Sequence, residues 1–83
     1  MSSDWLCYML QCADGTLYCG ITTDIEKRLH AHNEGTGAKY TRARRPVALV
    51  FHEYCADRSS ALRREMEIKK LTRAEKLALI GSI

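Results

Sequence analysis

The sequence predicts an α+β protein: a small three-stranded antiparallel sheet flanked by helices, in the order β-β-α-β-α-α. Three observations carry that expectation. Two apolar, aromatic-rich runs, Trp5 to Cys12 and Thr16 to Ile21, stand on either side of Ala13-Asp14-Gly15, the composition of a hairpin. Two Thr-x-x-Glu stretches, Thr23 to Glu26 and Thr72 to Glu75, carry the reciprocal capping signature of helix starts. Between Asp57 and Lys70 a sparse apolar stripe recurs among charges with helical period. The chain has 83 residues, a single domain over 1–83 that buries only about 60–65% of its unfolded surface.

Each element follows from local chemistry. Residues 5–12 are apolar enough for a buried strand, and 16–21 form the returning one. The first helix opens at the capping box and runs to about Asn33, where Asn33 to Gly37 breaks it. Lys39 to Arg45 is a basic loop or short helix, and Pro46 starts a third strand, Val47 to Tyr54. Asp57 caps a second long helix through Lys70, and the second capping box opens a last helix toward Ile80.

With 46% apolar and 28% charged residues, the composition excludes a disordered tail, a collagen-like repeat and an enzyme with a separate cofactor domain. No run approaches 18 apolar residues, so no membrane span is expected. The N-terminal segment has no basic stretch and carries Asp4, unlike a secretory signal, so the expected location is the cytoplasm. A net charge of +3 assigns no partner. Cys7, Cys12, Cys19 and Cys55 lack both a Cys-x-x-Cys pair and zinc-finger spacing, and are expected to be reduced thiols.

Polar residues on apolar faces are the candidates for chemistry. Ile25 and Leu29 define the stripe of the first helix; His32 falls within about 20° of Ile25, and Arg28, four residues earlier, lies on the shoulder of the same face. A core histidine bonded to a carbonyl and a snorkelling arginine would explain both structurally. On the second long helix Glu65 lies among Ala61, Leu62 and Ile68, while Glu67 turns toward solvent. A carboxylate so placed is costly unless paired or bound to a cation. A salt bridge to Arg28 or a lysine, and a metal or phosphate site, are the two alternatives.

The hairpin register decides where the tyrosines point. A two-residue Asp14-Gly15 turn puts Tyr8 and Tyr18 on opposite faces of the sheet. A three-residue loop, with Gly15 in the left-handed position, pairs Tyr8 with Gly20, makes Tyr18 its diagonal neighbour and leaves open space above the glycine. Propensity leaves both registers open. The stretch Lys39-Tyr40-Thr41-Arg42-Ala43-Arg44-Arg45 holds four positive charges in seven residues, and is either a solvated loop or a track for phosphates.

Tyr8, Tyr18-Cys19-Gly20-Ile21-Thr22-Thr23, Arg28 and His32, with Gly37-Ala38-Lys39-Tyr40-Thr41-Arg42 and Ala61-Leu62-Arg63-Arg64-Glu65…Ile68-Lys69, resemble the GIY-YIG nuclease superfamily. The likeness to its small single-domain bacterial-type members runs essentially end to end. Leu6-Cys7-Tyr8 stands where the first half-motif reads Gly-Ile-Tyr, and Tyr18-Cys19-Gly20 where the second reads Tyr-Ile-Gly. The asparagine that some members carry near the end of the domain has no counterpart in LALIGSI.

The resemblance implies the GIY-YIG fold and a hydrolase: an endonuclease or DNase of low sequence specificity, related to repair or recombination. Branched or damaged DNA is the implied substrate, and RNA stays open. It also implies one divalent cation, Mg²⁺ with Mn²⁺ as a substitute, held by Glu65. Tyr8 would be the general base or a relay for one, and Tyr18 would orient water or the scissile phosphate. Arg28 would neutralise phosphate charge, and His32 would bond Tyr8 or the phosphate. Lys39, Tyr40, Arg42, Arg44 and Arg45 would then follow the DNA backbone. The alternative is a nucleic-acid-binding module with weak or no catalysis; a purely structural protein, with Glu65 and Arg28 paired in the core, is the third reading.

Overall fold

A computed structural model describes residues 4–81. Strands β1 (Leu6–Gln11), β2 (Leu17–Thr22) and β3 (Ala48–Tyr54) form one antiparallel sheet in the order β2-β1-β3. Four helices join them: α1 (Ile25–Glu34), the one-turn α2 (Lys39–Arg42), α3 (Arg58–Lys69) and α4 (Arg73–Gly81). The expected order holds, with α2 occupying the basic stretch. No helix among the described residues is long and apolar enough to cross a membrane.

The hairpin takes the three-residue loop. Tyr8 faces Gly20 across the ladder, and Cys12 N donates to Thr16 O at 2.8 Å. Gly15 sits at φ 85°, a region that a side chain would strain. The Asp14 carboxylate accepts from Thr16 N (3.1 Å) and Thr16 Oγ1 (2.6 Å), which ties the loop to the start of β2. Those bonds hold the Asp14 carboxyl below its usual range.

Helix caps follow the sequence with one shift. Asp24, rather than Thr23, caps α1: its carboxylate accepts from Lys27 N at 3.1 Å, while Thr22 Oγ1 accepts from Asp24 N. A carboxylate at the helix N-terminus meets both the free amides and the dipole, so it wins the position. Asp57 caps α3 through Ser60 N at 2.7 Å. Thr72 and Glu75 bond each other's backbone amides ahead of α4, as a capping box does. Gly35, at φ 86°, ends α1.

Strand alternation gives the sheet two unlike faces. Tyr8, Leu10 and Cys12 pack with Val47, Leu49, Tyr18 and the α1 residues Ile25 and Leu29. Cys7, Met9, Cys19 and Phe51 pack with Ile68 of α3, with Leu79 and Ile80 of α4 against them. The sheet is therefore the middle of three layers, α1 on one side and α3 with α4 on the other. All four cysteines are free thiols, and the Cys7 and Cys19 sulfurs lie 3.7 Å apart.

Candidate active site

The α1 face buries a chain of polar groups. Tyr8 stands on the central strand and His32 near the C-terminal end of α1; they are 1% and 0% exposed. The Tyr8 phenolic oxygen lies 3.0 Å from His32 Nε2, and Arg28 Nε donates to the same oxygen at 3.4 Å. Arg28 Nη2 donates to the Gly37 carbonyl at 3.0 Å. His32 Nδ1 lies 2.7 Å from Thr41 Oγ1, which donates to the Ala38 carbonyl at 3.1 Å. Among the described residues no buried side-chain polar atom lacks a hydrogen-bond partner.

Tyr18 completes the cluster through its ring. Its centroid lies 6.5 Å from that of Tyr8 and 5.1 Å from the imidazole of His32, in tilted and edge-on arrangements. Both phenols thus occupy the α1 side of the sheet. The space above Gly20 is not open as expected: the Tyr8 phenol fills it, and a Cβ on residue 20 would lie 2.7 Å from the phenolic oxygen. Only glycine lets that ring lie across β2.

Burial shapes the protonation states. It pushes the Tyr8 phenol up to about 12, against the opposing pull of the Arg28 bond. Burial also pushes His32 below its ordinary value, helped by the Arg28 charge. At neutral pH the pair is a phenol beside a neutral imidazole. Arg28 leaves the buried cluster for solvent, lining an open cleft of about 360 Å³ with Thr22, Thr23, Asp24, Lys27 and Ala31.

Glu65 stands in a different layer. It lies on α3 between Ala61 and Ile68, the two buried residues of that helix, of which Ile68 packs with Cys7 and Cys19, and is 18% exposed at the side chain. Its carboxylate sits 3.6 Å from Lys69 Nζ. The structural alternative of a Glu65–Arg28 pair is thereby replaced by a pair with Lys69. Four of the five expected side chains share one cluster; the fifth approaches from beneath β1 and β2. Alternation along the strands explains the separation, since α3 covers the residues that point away from α1.

The basic stretch is less free than its charges suggest. Arg44 donates to Asp14 Oδ2 (3.1 Å) and to the Tyr40 carbonyl (2.8 Å), and its guanidinium stacks 4.1 Å over the Tyr40 ring. Arg45 donates to the carbonyls of Arg42 and Asn33. Both cations therefore hold the loop in shape. Lys39 and Arg42 are exposed, and Tyr40, 40% exposed, lies 5.9 Å from the Tyr18 ring. Thr41, Gly37 and Asn33 carry structure that the sequence did not single out. Asn33 bonds both N–H and C=O of Val47, and so pins the end of α1 to β3.

Comparison with known proteins now bears on this geometry. The profile of the GIY-YIG catalytic domain matches residues 4–78. The chain belongs to the GIY-YIG family. It is 54% identical over 77 residues to the UPF0213 protein of Desulfotalea psychrophila, covering 92% of this chain and 70% of that one. With the UPF0213 protein of Staphylococcus saprophyticus it shares 55% over 74 residues, 89% and 90% of the two chains. The solution NMR structure of a UPF0213 protein from Bacillus halodurans matches with a TM-score of 0.60 at 42% identity, covering 93% of this chain and 82% of that chain. GIY-YIG domains are generally endonucleases, so membership suggests nuclease activity and a nucleic-acid substrate.

Proposed function

We propose that this GIY-YIG protein is a cytoplasmic, metal-dependent endonuclease. It hydrolyses DNA phosphodiesters with little sequence preference and acts on branched or damaged DNA. The observation that carries the proposal is the hydrogen-bonded run from Arg28 through Tyr8 to His32, buried beside a cleft that Arg28 itself lines. Structural polar networks are usually satisfied by backbone; this one joins a base, a phenol and a cation in series.

In hydrolysis, a water oxygen bonds to phosphorus and the ester P–O bond breaks, its electron pair leaving on the ester oxygen, which takes a proton from solvent. A water held against the Tyr8 oxygen gives up its proton as the Tyr8 proton moves to His32 Nε2. The raised phenol disfavours a free phenolate, so Tyr8 acts as a relay and His32 as the base. Arg28 faces two charges at once, stabilising negative charge on the phenol oxygen and on a phosphate in the cleft. Tyr18 packs against the rings of Tyr8 and His32 and orients the reacting group.

The donor set suits one class of metal. Among the described residues no three His, Cys, Asp or Glu side chains gather into a cage, and Glu65 is a largely buried carboxylate whose one ion-pair partner is Lys69 at 3.6 Å. One carboxylate fits Mg²⁺ or Mn²⁺, which retains waters and takes further oxygens from substrate phosphate. When bound by Glu65, the cation would neutralise charge on the phosphate and the leaving oxygen. Lys39, Arg42 and Tyr40 provide backbone contacts of the kind that give affinity without sequence preference.

The test is a cleavage panel of duplex, flap, junction and single-stranded DNA, with matching RNA, in Mg²⁺ and Mn²⁺. Metal-dependent nicking that disappears in Glu65→Ala, with the variant still folded, is the expected result. Equal cutting by parent and variant would overturn it. The near-complete burial of Tyr8 favours a second reading, a nucleic-acid-binding module without catalysis. That reading predicts salt-sensitive binding without metal and no cleavage anywhere on the panel.

A further inference from the structure

We infer that Thr41 is a positioning residue that fixes the tautomer of His32, keeping Nε2 bare to accept the Tyr8 proton. The inference rests on the Tyr8–His32 relay proposed above. Thr41 is fully buried on the one-turn α2, and its hydroxyl touches two partners: the Ala38 carbonyl at 3.1 Å and His32 Nδ1 at 2.7 Å. A hydroxyl has one proton and a carbonyl can only accept. The Thr41 hydroxyl donates to the Ala38 carbonyl, which also accepts from Arg42 N at 3.1 Å, and a hydroxyl so engaged offers Nδ1–H a lone pair. A neutral imidazole has one N–H, so Nε2 carries a lone pair and Tyr8 donates to it. At the other end, Arg28 Nε can only donate, and takes one of the two lone pairs of the Tyr8 oxygen.

Every bond from Arg28 to the Ala38 carbonyl then has one consistent direction. The opposite tautomer would ask the single Thr41 proton to serve both Nδ1 and the carbonyl. The turn carrying Thr41 is also pressed onto the ring: a Cβ on Gly37 would lie 2.6 Å from Nδ1. The same glycine's carbonyl accepts from Arg28. Residues 37–41 thus hold both partners of Tyr8, and Thr41 sets which nitrogen is free. It touches no reacting atom; it acts through His32.

The decisive measurement is the ¹⁵N spectrum of the His32 imidazole at about pH 7.5, where an unperturbed histidine is neutral. The parent is expected to carry its proton on Nδ1. Thr41→Val keeps the shape but removes the acceptor. It should move the population toward Nε2–H and lower cleavage about 10- to 100-fold, with KM little changed. Thr41→Ser should restore both. A proton on Nε2 in the parent, or an unchanged tautomer in folded Thr41→Val, would overturn the inference. If Thr41→Val fails to fold, the spectra of the parent and Thr41→Ser decide. Should none of the proteins cut any substrate, the nuclease reading fails while the spectra still judge Thr41.

Discussion

The sheet face under α1 and the face under α3 and α4 draw on alternate residues of the same strands, yet they solve burial differently. Cys7, Met9, Cys19, Phe51 and Ile68 are held by apolar packing, with no directional bond beyond the contact between two thiols. Tyr8, His32, Thr41 and the half-buried Arg28 on the other face are held by a directional chain of hydrogen bonds. Apolar packing tolerates exchange of one methylene-rich side chain for another, whereas a polar chain fails when any link goes. Stability should therefore be concentrated on the first face and the proton relay on the second, with Glu65 the one proposed functional group on the α3 side.

The largest test of that division is Ile68→Ala. Removing a fully buried side chain from α3 should lower stability by about 2–5 kcal/mol, read by denaturant unfolding, while cleavage per folded molecule stays near the parent's. A comparable loss of specific activity would show that the two faces are not separable. Arg28→Ala should do the reverse. Cleavage should fall by about 10²–10³-fold, equivalent to about 2.7–4 kcal/mol of transition-state stabilisation, with the unfolding midpoint moving far less.

Tyr8→Phe sharpens the comparison, because it keeps the ring over Gly20 and removes only the oxygen. His32 Nε2 would be left buried without its partner, costing about 1–3 kcal/mol of stability, and the relay would be lost. A fully stable Phe variant would mean that Tyr8 and His32 contribute nothing to holding the α1 face together.

The smallest effect is a pH dependence. His32 is held below its unfolded value, so between the folded and unfolded pKa the unfolded chain binds more protons. Stability should be constant above the unfolded pKa of about 6.5, fall as pH drops through the window below it, and level off below the folded pKa. His32→Gln should remove that slope. Cleavage should lose its base over the same window, with an inflection below about 6.5 in kcat/KM. A rise in stability on acidification through that window would overturn the reading of His32 as buried and neutral.

Much of this was legible in the chain. The hairpin, the caps at Asp57 and Thr72, and the helical faces carrying Arg28, His32 and Glu65 follow from local chemistry, because turns, caps and periodicity act over a few residues. The register was not. Both loops around Gly15 suit its composition, and the choice falls to the three-residue loop with Thr16 bonding Asp14 and Arg44 reaching across from residues far along the chain. Arg44 and Arg45 read as free cations because sequence shows charge but not the carbonyls and carboxylate that engage it.

The amino-acid order by itself determined the fold class, the family likeness and which polar residues had to be buried on apolar faces, since these rest on local pattern. Only the assembled fold decided that Tyr8 covers Gly20, that Glu65 enters from the layer opposite His32, and that a threonine in a basic stretch meets the far side of the imidazole. Such pairings depend on long-range approach between elements, and no spacing along the chain encodes which faces will meet.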